Sequence, residues 1–231
     1  KESMDAVFPL IQKYGGVVVG LTLDENGIPA TADGRVEIAK KIIAEAAKYG
    51  IDKKDIVIDV LAMTISSEPQ GAIITLDALH RVRHELGVHT ILGVSNISFG
   101  LPMRPIVNSH FYTMAMYNGL SCGIVNPASE EMMKSFDAYH ALMDYDINCE
   151  RYIGKYSGQT TTVSTTQTGS MTLQIAIEKG VKDEARLITL EQVKTEQPLD
   201  IINTQLIPAL DHVGKGFEKG TVFLPQLLMS A

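Results

Sequence analysis

The chain has 231 residues, 45% of them hydrophobic, with 20 basic and 27 acidic side chains and a net charge of −7. That acidic balance argues against nucleic-acid binding, which leaves a basic footprint, and no apolar run approaches the roughly 18 residues of a membrane-spanning helix. Two cysteines, Cys122 and Cys149, are too few for a disulfide framework, so a reducing cytoplasmic setting is expected. The sequence opens on Lys1 rather than Met and stops at Ala231 within an apolar stretch, which reads as a fragment of something longer.

Four short β-branched runs punctuate the first half: 17–21 (VVVGL), 56–58 (IVI), 90–94 (TILGV) and 122–125 (CGIV). Continuous rather than alternating hydrophobicity predicts parallel strands buried on both faces. Between the first two, Val36, Ala39, Ile42, Ile43, Ala46 and Ala47 keep a helical period, with Thr31 as N-cap and Gly50 just past the end. Leu76, Leu79, Val82, Arg83 and Leu86 repeat the arrangement and stop before Gly87. A third helix is predicted over about 106–118 and a fourth from the cap Ser129.

The strand starts are 39, 34 and 32 residues apart. A (β/α)8 barrel allots roughly 31 residues to each unit. An open flavodoxin-like sheet has similar spacing but usually places a phosphate-binding glycine loop after its first strand, and none is visible here. Four units predict half a barrel. In parallel α/β folds the chemistry gathers at the carboxyl ends of the strands. Those ends read Thr22 and Asp24, then Asp59, then Ser95 and Asn96, then Asn126. Each of these polar residues also suits a helix cap or a turn. Asp59 is the strongest candidate, because Val60, Leu61 and Ala62 follow it and a carboxylate among apolar neighbours needs a partner. Residues 93–102 (GVSNISFGLP) supply an amide, hydroxyls and an aromatic face at one strand end, an inventory suited to a flat heteroaromatic ligand.

The segments 17–25 (VVVGLTLDE), 56–62 (IVIDVLA), 91–102 (ILGVSNISFGLP) and 123–127 (GIVNP) resemble, in order, the pterin-binding methyltransferase barrel of cobalamin-dependent methionine synthases and methyltetrahydrofolate:corrinoid methyltransferases. The resemblance covers 1–153. It implies that Asp59 pairs with the amide edge of the pterin, and that Asn96 approaches the methyl-bearing nitrogen and stabilises its protonated form as the catalytic residue. It further implies that Ser98, Phe99 and Asn126 line the folate site and that Arg104 serves the folate's anionic tail, although a solvated loop arginine reads equally well. Strands that come before Lys1 in that family supply further pterin ligands, so half a folate site is expected here.

From 157 to 172 no residue is charged and 10 of 16 are Ser or Thr, which predicts a linker, placed at 154–172. Helical patterns follow over about 172–179, 182–194, 198–213 and from 224 onward, with Pro208 expected to bend or interrupt the third. Residues 198–231 resemble the helical cap of the cobalamin-binding module in the same enzymes, most specifically in Gly216-Phe217-Glu218 and Phe223-Leu224-Pro225-Gln226. The resemblance implies that Phe223, with Leu227 or Leu228, lies over the upper face of the corrin as an apolar lid. It also implies that the cobalamin-ligating DxHxxG loop falls outside this chain. The zinc of methionine synthases serves a homocysteine module that is likewise outside it. His80 and His84 stand four apart on a helix without further ligands, so no metal site is expected, and Cys122 reads as core.

The expectation is therefore an α/β half of a pterin-binding (β/α)8 TIM barrel over 1–153, followed by an all-α cobalamin cap over 173–231. Its parent would move methyl from 5-methyltetrahydrofolate through a corrinoid to homocysteine. Two alternatives stand beside it: a methyltetrahydrofolate:corrinoid protein methyltransferase, or a non-catalytic folate-binding scaffold that closes its strand edges as a homodimer.

Overall fold

In a computed structural model, residues 2–157 and 171–231 are described, and they divide into two compact units, Lys1–Tyr139 and His140–Ala231. The first unit alternates strand and helix: α1 (Glu2–Tyr14), β1 (Val18–Leu21), α2 (Ala32–Lys48), β2 (Ile56–Asp59), α3 (Gly71–Arg81), β3 (His89–Gly93), α4 (Arg104–Tyr117), β4 (Cys122–Ile124) and α5 (Glu130–Leu142). All three strand pairings are parallel, in the order β1-β2-β3-β4. Sequential order is the barrel's winding; a flavodoxin-like sheet reverses direction after its first strand. The four strands and their helices form the expected partial α/β barrel.

The core lies between the sheet and its helices. Ile56, Ile58, Leu92, Val36, Ala39, Leu79 and Val82 are all fully buried there. Thr31 caps α2 as its sequence position implies, its side chain accepting from the Gly34 amide at 3.2 Å. Gly20 shows why β1 needs a glycine on its covered side. A Cβ there would lie 3.0 Å from Ile42 Cγ2 and 3.2 Å from Ile58 Cδ1. Gly20→Ala is expected to lower stability by about 1–3 kcal/mol through overpacking, measurable by denaturant unfolding.

Two expectations need correction, and one helix was not expected. Burial on both faces holds for β2, where Ile56, Val57 and Ile58 are all buried, but not for the outer strands: Val19 and Leu21 on β1 are 48% and 44% exposed, and Ile124 on β4 is 60% exposed. The β-branched runs belong to strands whose second face would be the inside of a barrel, so composition alone reads as double burial. Cys122 is exposed for the same reason. Nothing in the sequence reading covered α1, whose interior Pro9 and single fully buried residue, Phe8, give a weak helical signal. Phe8 meets the Tyr49 ring edge-on at 5.7 Å between centroids.

The second unit adds α6 (Glu150–Tyr156), α7 (Leu173–Glu178), α8 (Lys182–Gln192), α9 (Pro198–Ile201), α10 (Ile207–Glu218) and α11 (Leu224–Ser230). Most of the expected linker lies outside the described residues, at 158–170. Its first positions, 154–156, are helical in α6, and Thr172 caps α7 by accepting from the Ile175 amide at 3.3 Å. Leu173, Ile177, Ile201 and Ala209 form the buried centre, flanked by Ala185, Ile188 and Leu206. Pro208 does interrupt its helix: a π-helical turn, Ile202–Leu206, separates α9 from α10. Proline has no N–H to offer the carbonyl four residues back. That carbonyl, on Thr204, instead accepts from the Gln174 side chain of α7 at 3.4 Å.

Candidate functional site

Register brings the strand ends to one edge. Leu21 pairs with Asp59, Asp59 with Ile91, and Gly93 with Ile124, so the loops carrying Thr22, Asp59, Asn96 and Asn126 leave the same side of the sheet. Thr22 is fully buried, and both its amide and its hydroxyl donate to the Asp59 carbonyl, at 3.0 and 3.2 Å. It fixes the Asp59 backbone rather than facing a ligand. Asp24 serves a turn, its Oδ1 accepting from the Asn26 amide at 2.8 Å.

The Asp59 carboxylate is half-buried, and its Oδ1 accepts from the Leu61 amide at 2.8 Å. Burial pushes its pKa above the ordinary value, and the Leu61 amide partly offsets that rise. Among the described residues nothing hydrogen-bonds Oδ2, so a half-desolvated carboxylate keeps one oxygen for an incoming donor. Leu61 reaches this position with φ at +62°, in the left-handed region that a branched residue occupies only when its surroundings hold it there.

After β3 the chain makes a tight turn, Val94–Ser98. Gly93 leaves room for the Asn96 amide to fold back, since a Cβ there would lie 3.1 Å from Asn96 Nδ2. The Asn96 side chain is exposed and makes no hydrogen bond among the described residues. Phe99 is 67% exposed, while its carbonyl accepts from the Thr64 hydroxyl at 2.7 Å and the Ser66 hydroxyl at 2.8 Å. The Ile65 amide donates to the Ile97 carbonyl at 3.0 Å. These three bonds staple the loop after β2 to the loop after β3, so the carboxylate and the aromatic face stand on one framework.

Ser98 and Arg104 turn inward on that framework. Ser98 is fully buried and accepts from Arg104 Nε at 3.0 Å, while Arg104 Nη2 donates to the Ser95 carbonyl at 2.8 Å. The guanidinium carbon lies 5.7 Å from the Phe99 ring centroid, within cation–π range. Arg104 is thus a half-buried brace of its own turn, with its Nη1 end still open. Asn126 is exposed, and its Oδ1 accepts from the Ala128 amide at 3.0 Å, which leaves only its NH2 for a ligand. His80 and His84 are exposed on α3 and the turn after it, with ring centroids 4.6 Å apart, and no group of three ligand-type residues gathers among the described residues.

In the second unit Phe223 and Leu227 are half-buried, and Leu228 on α11 is 68% exposed. Leu199, Ile207, Leu210 and Phe217 are also exposed, so this small bundle presents apolar surface well beyond its core. Among the described residues no cluster of histidines, cysteines and carboxylates gathers there for holding a metal.

Residues 2–126 match the pterin binding enzyme family, and the chain belongs to it. Residues 172–231 match the B12 binding domain, which accounts for the helices beyond the linker. The chain is 33% identical over 152 residues to the methylcorrinoid:tetrahydrofolate methyltransferase of Eubacterium limosum, covering 64% of this chain and 56% of that protein. It is 30% identical over 249 aligned positions to the methionine synthases of Mycobacterium leprae (strain TN) and Mycobacterium tuberculosis (strain ATCC 25618 / H37Rv), covering 96% of this chain and 21% of each. The chain therefore spans about half the length of the first relative and a fifth of the others.

One residue of consequence escaped the sequence reading. Arg35 is completely buried, directly behind the Asp59 loop. Its signal was available: it falls in phase with Ala39 and Ile42 on the apolar stripe of α2, where a cation is out of place unless it is held.

Proposed function

We propose that the first unit binds the pterin of 5-methyltetrahydrofolate at the stapled strand ends, and that the helices over 171–231 serve as the apolar lid of a corrinoid site. The parent would be a cobalamin-dependent methionine synthase. The observation that carries this reading is Asp59, a half-buried carboxylate with one oxygen fixed and the other open. Two parallel N–H groups on a pterin edge match a carboxylate, one donating to the open Oδ2 and the other to the second lone pair of Oδ1. Phe99 offers an exposed ring face beside it. Asn96 is the catalytic residue of this reading. Loss of methyl from a tertiary amine needs a proton on that nitrogen, and a neutral amide can hydrogen-bond the protonated form and stabilise the developing charge. Ser98 and Arg104 act through the turn they brace, with the open end of Arg104 available to the folate's anionic tail, and the NH2 of Asn126 completes the edge.

When bound, the corrinoid supplies the methyl-accepting centre. Phe223, Leu227 and Leu228 supply the apolar surface that keeps water from it. The methionine synthase parent is supported by the relatives that match across both units, over 96% of the chain. A corrinoid methyltransferase parent is the second reading, favoured by the slightly higher identity over a match of 152 residues. A cytoplasmic setting belongs to the same proposal, consistent with two free cysteines and with no described helix long and apolar enough to cross a membrane.

Titration of 5-methyltetrahydrofolate into the chain and its Phe99→Ala variant tests the pterin site. Saturable binding is expected for the unchanged chain, weakened about tenfold in the variant through lost ring contact. Because Phe99 is exposed, its thermal transition should barely move. A folded chain without measurable binding would favour the scaffold reading, with a homodimer in sizing experiments as its companion result.

A further inference from the structure

Two costly features meet behind the Asp59 carboxylate. One is Leu61 in left-handed backbone; the other is a fully buried guanidinium with no hydrogen-bonded carboxylate among the described residues. Arg35 Nη1 donates to the Leu61 carbonyl at 2.7 Å, the Val60 carbonyl at 3.0 Å and the Thr75 hydroxyl at 3.2 Å, while Nε donates to the Pro29 carbonyl at 3.1 Å. Thr75 is fully buried as well. Its hydroxyl donates to the Gly71 carbonyl at 2.8 Å and lies 3.3 Å from the Leu61 carbonyl. Burying a charge is costly unless hydrogen bonds and a counter-charge offset it, and here the Glu68 carboxylate supplies only a through-space attraction smaller than the desolvation. Here every bond of Arg35 goes to backbone or to Thr75, and two of them grip the peptide units that follow Asp59. Leu61 is held by its carbonyl, and its amide then points at Asp59 Oδ1, 2.8 Å away.

We infer that Arg35 is a positioning residue for the pterin site, which clamps the 60–61 backbone so that the Leu61 amide orients the Asp59 carboxylate with its second oxygen facing the ligand. The inference rests on Asp59 being the pterin-binding carboxylate. The clamp itself is independent of any ligand and can be measured alone. Arg35 acts through the backbone and touches no substrate. Its partner Thr75, on α3, accepts from Arg35 Nη1 while donating to the Gly71 carbonyl, so the clamp is anchored on both flanking helices of the strand.

The test uses Arg35→Lys, Arg35→Met and the milder Thr75→Val, each with two readouts. The first is the titration of the Asp59 carboxyl, followed by carbon NMR on selectively labelled chain; the second is pterin affinity. With the clamp loosened, the Leu61 amide no longer favours the ionised form, so the Asp59 midpoint should move upward in Arg35→Met and Thr75→Val. Arg35→Lys keeps a donor but not the fork, and should fall between them and the unchanged chain. Affinity for 5-methyltetrahydrofolate should drop about tenfold in Arg35→Met. Folded variants whose Asp59 titrates as before would overturn the inference. If Arg35→Met fails to fold, Thr75→Val decides on the same readouts. A chain that shows no pterin binding but a shifted Asp59 midpoint would sink the pterin reading and leave the clamp standing. Binding by the unchanged chain, with variants that bind equally well, would do the reverse.

Discussion

Asp59→Asn is expected to abolish most pterin binding, by about 100-fold, while making the unliganded chain more stable. An amide retains the acceptor for the Leu61 N–H but replaces the open carboxylate oxygen with an NH2 group, which donates and cannot accept an N–H bond. The stability gain follows from the direction of the pKa. Burial raises the folded-state value above the ordinary 3.8, so the folded chain keeps a proton that the unfolded chain releases. Stability therefore falls as pH rises through the window between the unfolded and folded values, and the deficit persists at neutral pH. Asparagine has no such deficit. A rise of roughly 2–4 °C in the thermal midpoint at pH 7, shrinking toward pH 4, is the signature. Binding retained at full strength would remove Asp59 from the site, and a destabilised variant would mean that its ionised form is compensated in the folded chain.

The second large effect concerns the helical unit. Ile201→Ala should unfold the helices of residues 171–231 while leaving the sheet unit intact. Leu173, Ile177, Ile201 and Ala209 form one buried cluster, and among the described residues beyond 170 only Ala176 and Val213 join them as buried apolar side chains. Removing most of one such side chain costs roughly 2–5 kcal/mol. A body of this size has about 3–9 kcal/mol in all, at roughly 0.05–0.15 kcal/mol per residue. Limited proteolysis should cut the variant within 171–231 and spare the strands. An unchanged cleavage pattern would show that these helices draw their stability from contacts beyond this small core.

Much of the architecture was legible because burial periodicity is a local property. All four strands fall within one residue of their expected starts, and Thr31, Gly50 and Pro208 act as their chemistry requires. The site was legible only in outline. Asp59 stood out because a carboxylate after IVI is anomalous in any fold, but nothing local distinguishes Asn96, with its amide unpaired, from Asn126, half spent on a turn. Ser98 and Arg104 read as ligand contacts by position, yet their first partners are each other, which depends on how a six-residue turn closes. Arg35 lies 24 residues from Asp59, and their connection exists only once α2 packs on β2. The exposed faces of β1 and β4 misled for a related reason. A sequence reports that a residue suits burial, not whether its cover lies within the chain.

The staple between the two site loops bears on speed. Thr64 and Ser66 hold the Phe99 carbonyl, and the Ile65 amide holds that of Ile97, before any ligand arrives. A slot built in advance surrenders little chain entropy on occupation, so more of each contact is left over as affinity. It also spares an arriving ligand any wait for these two loops to order around one another.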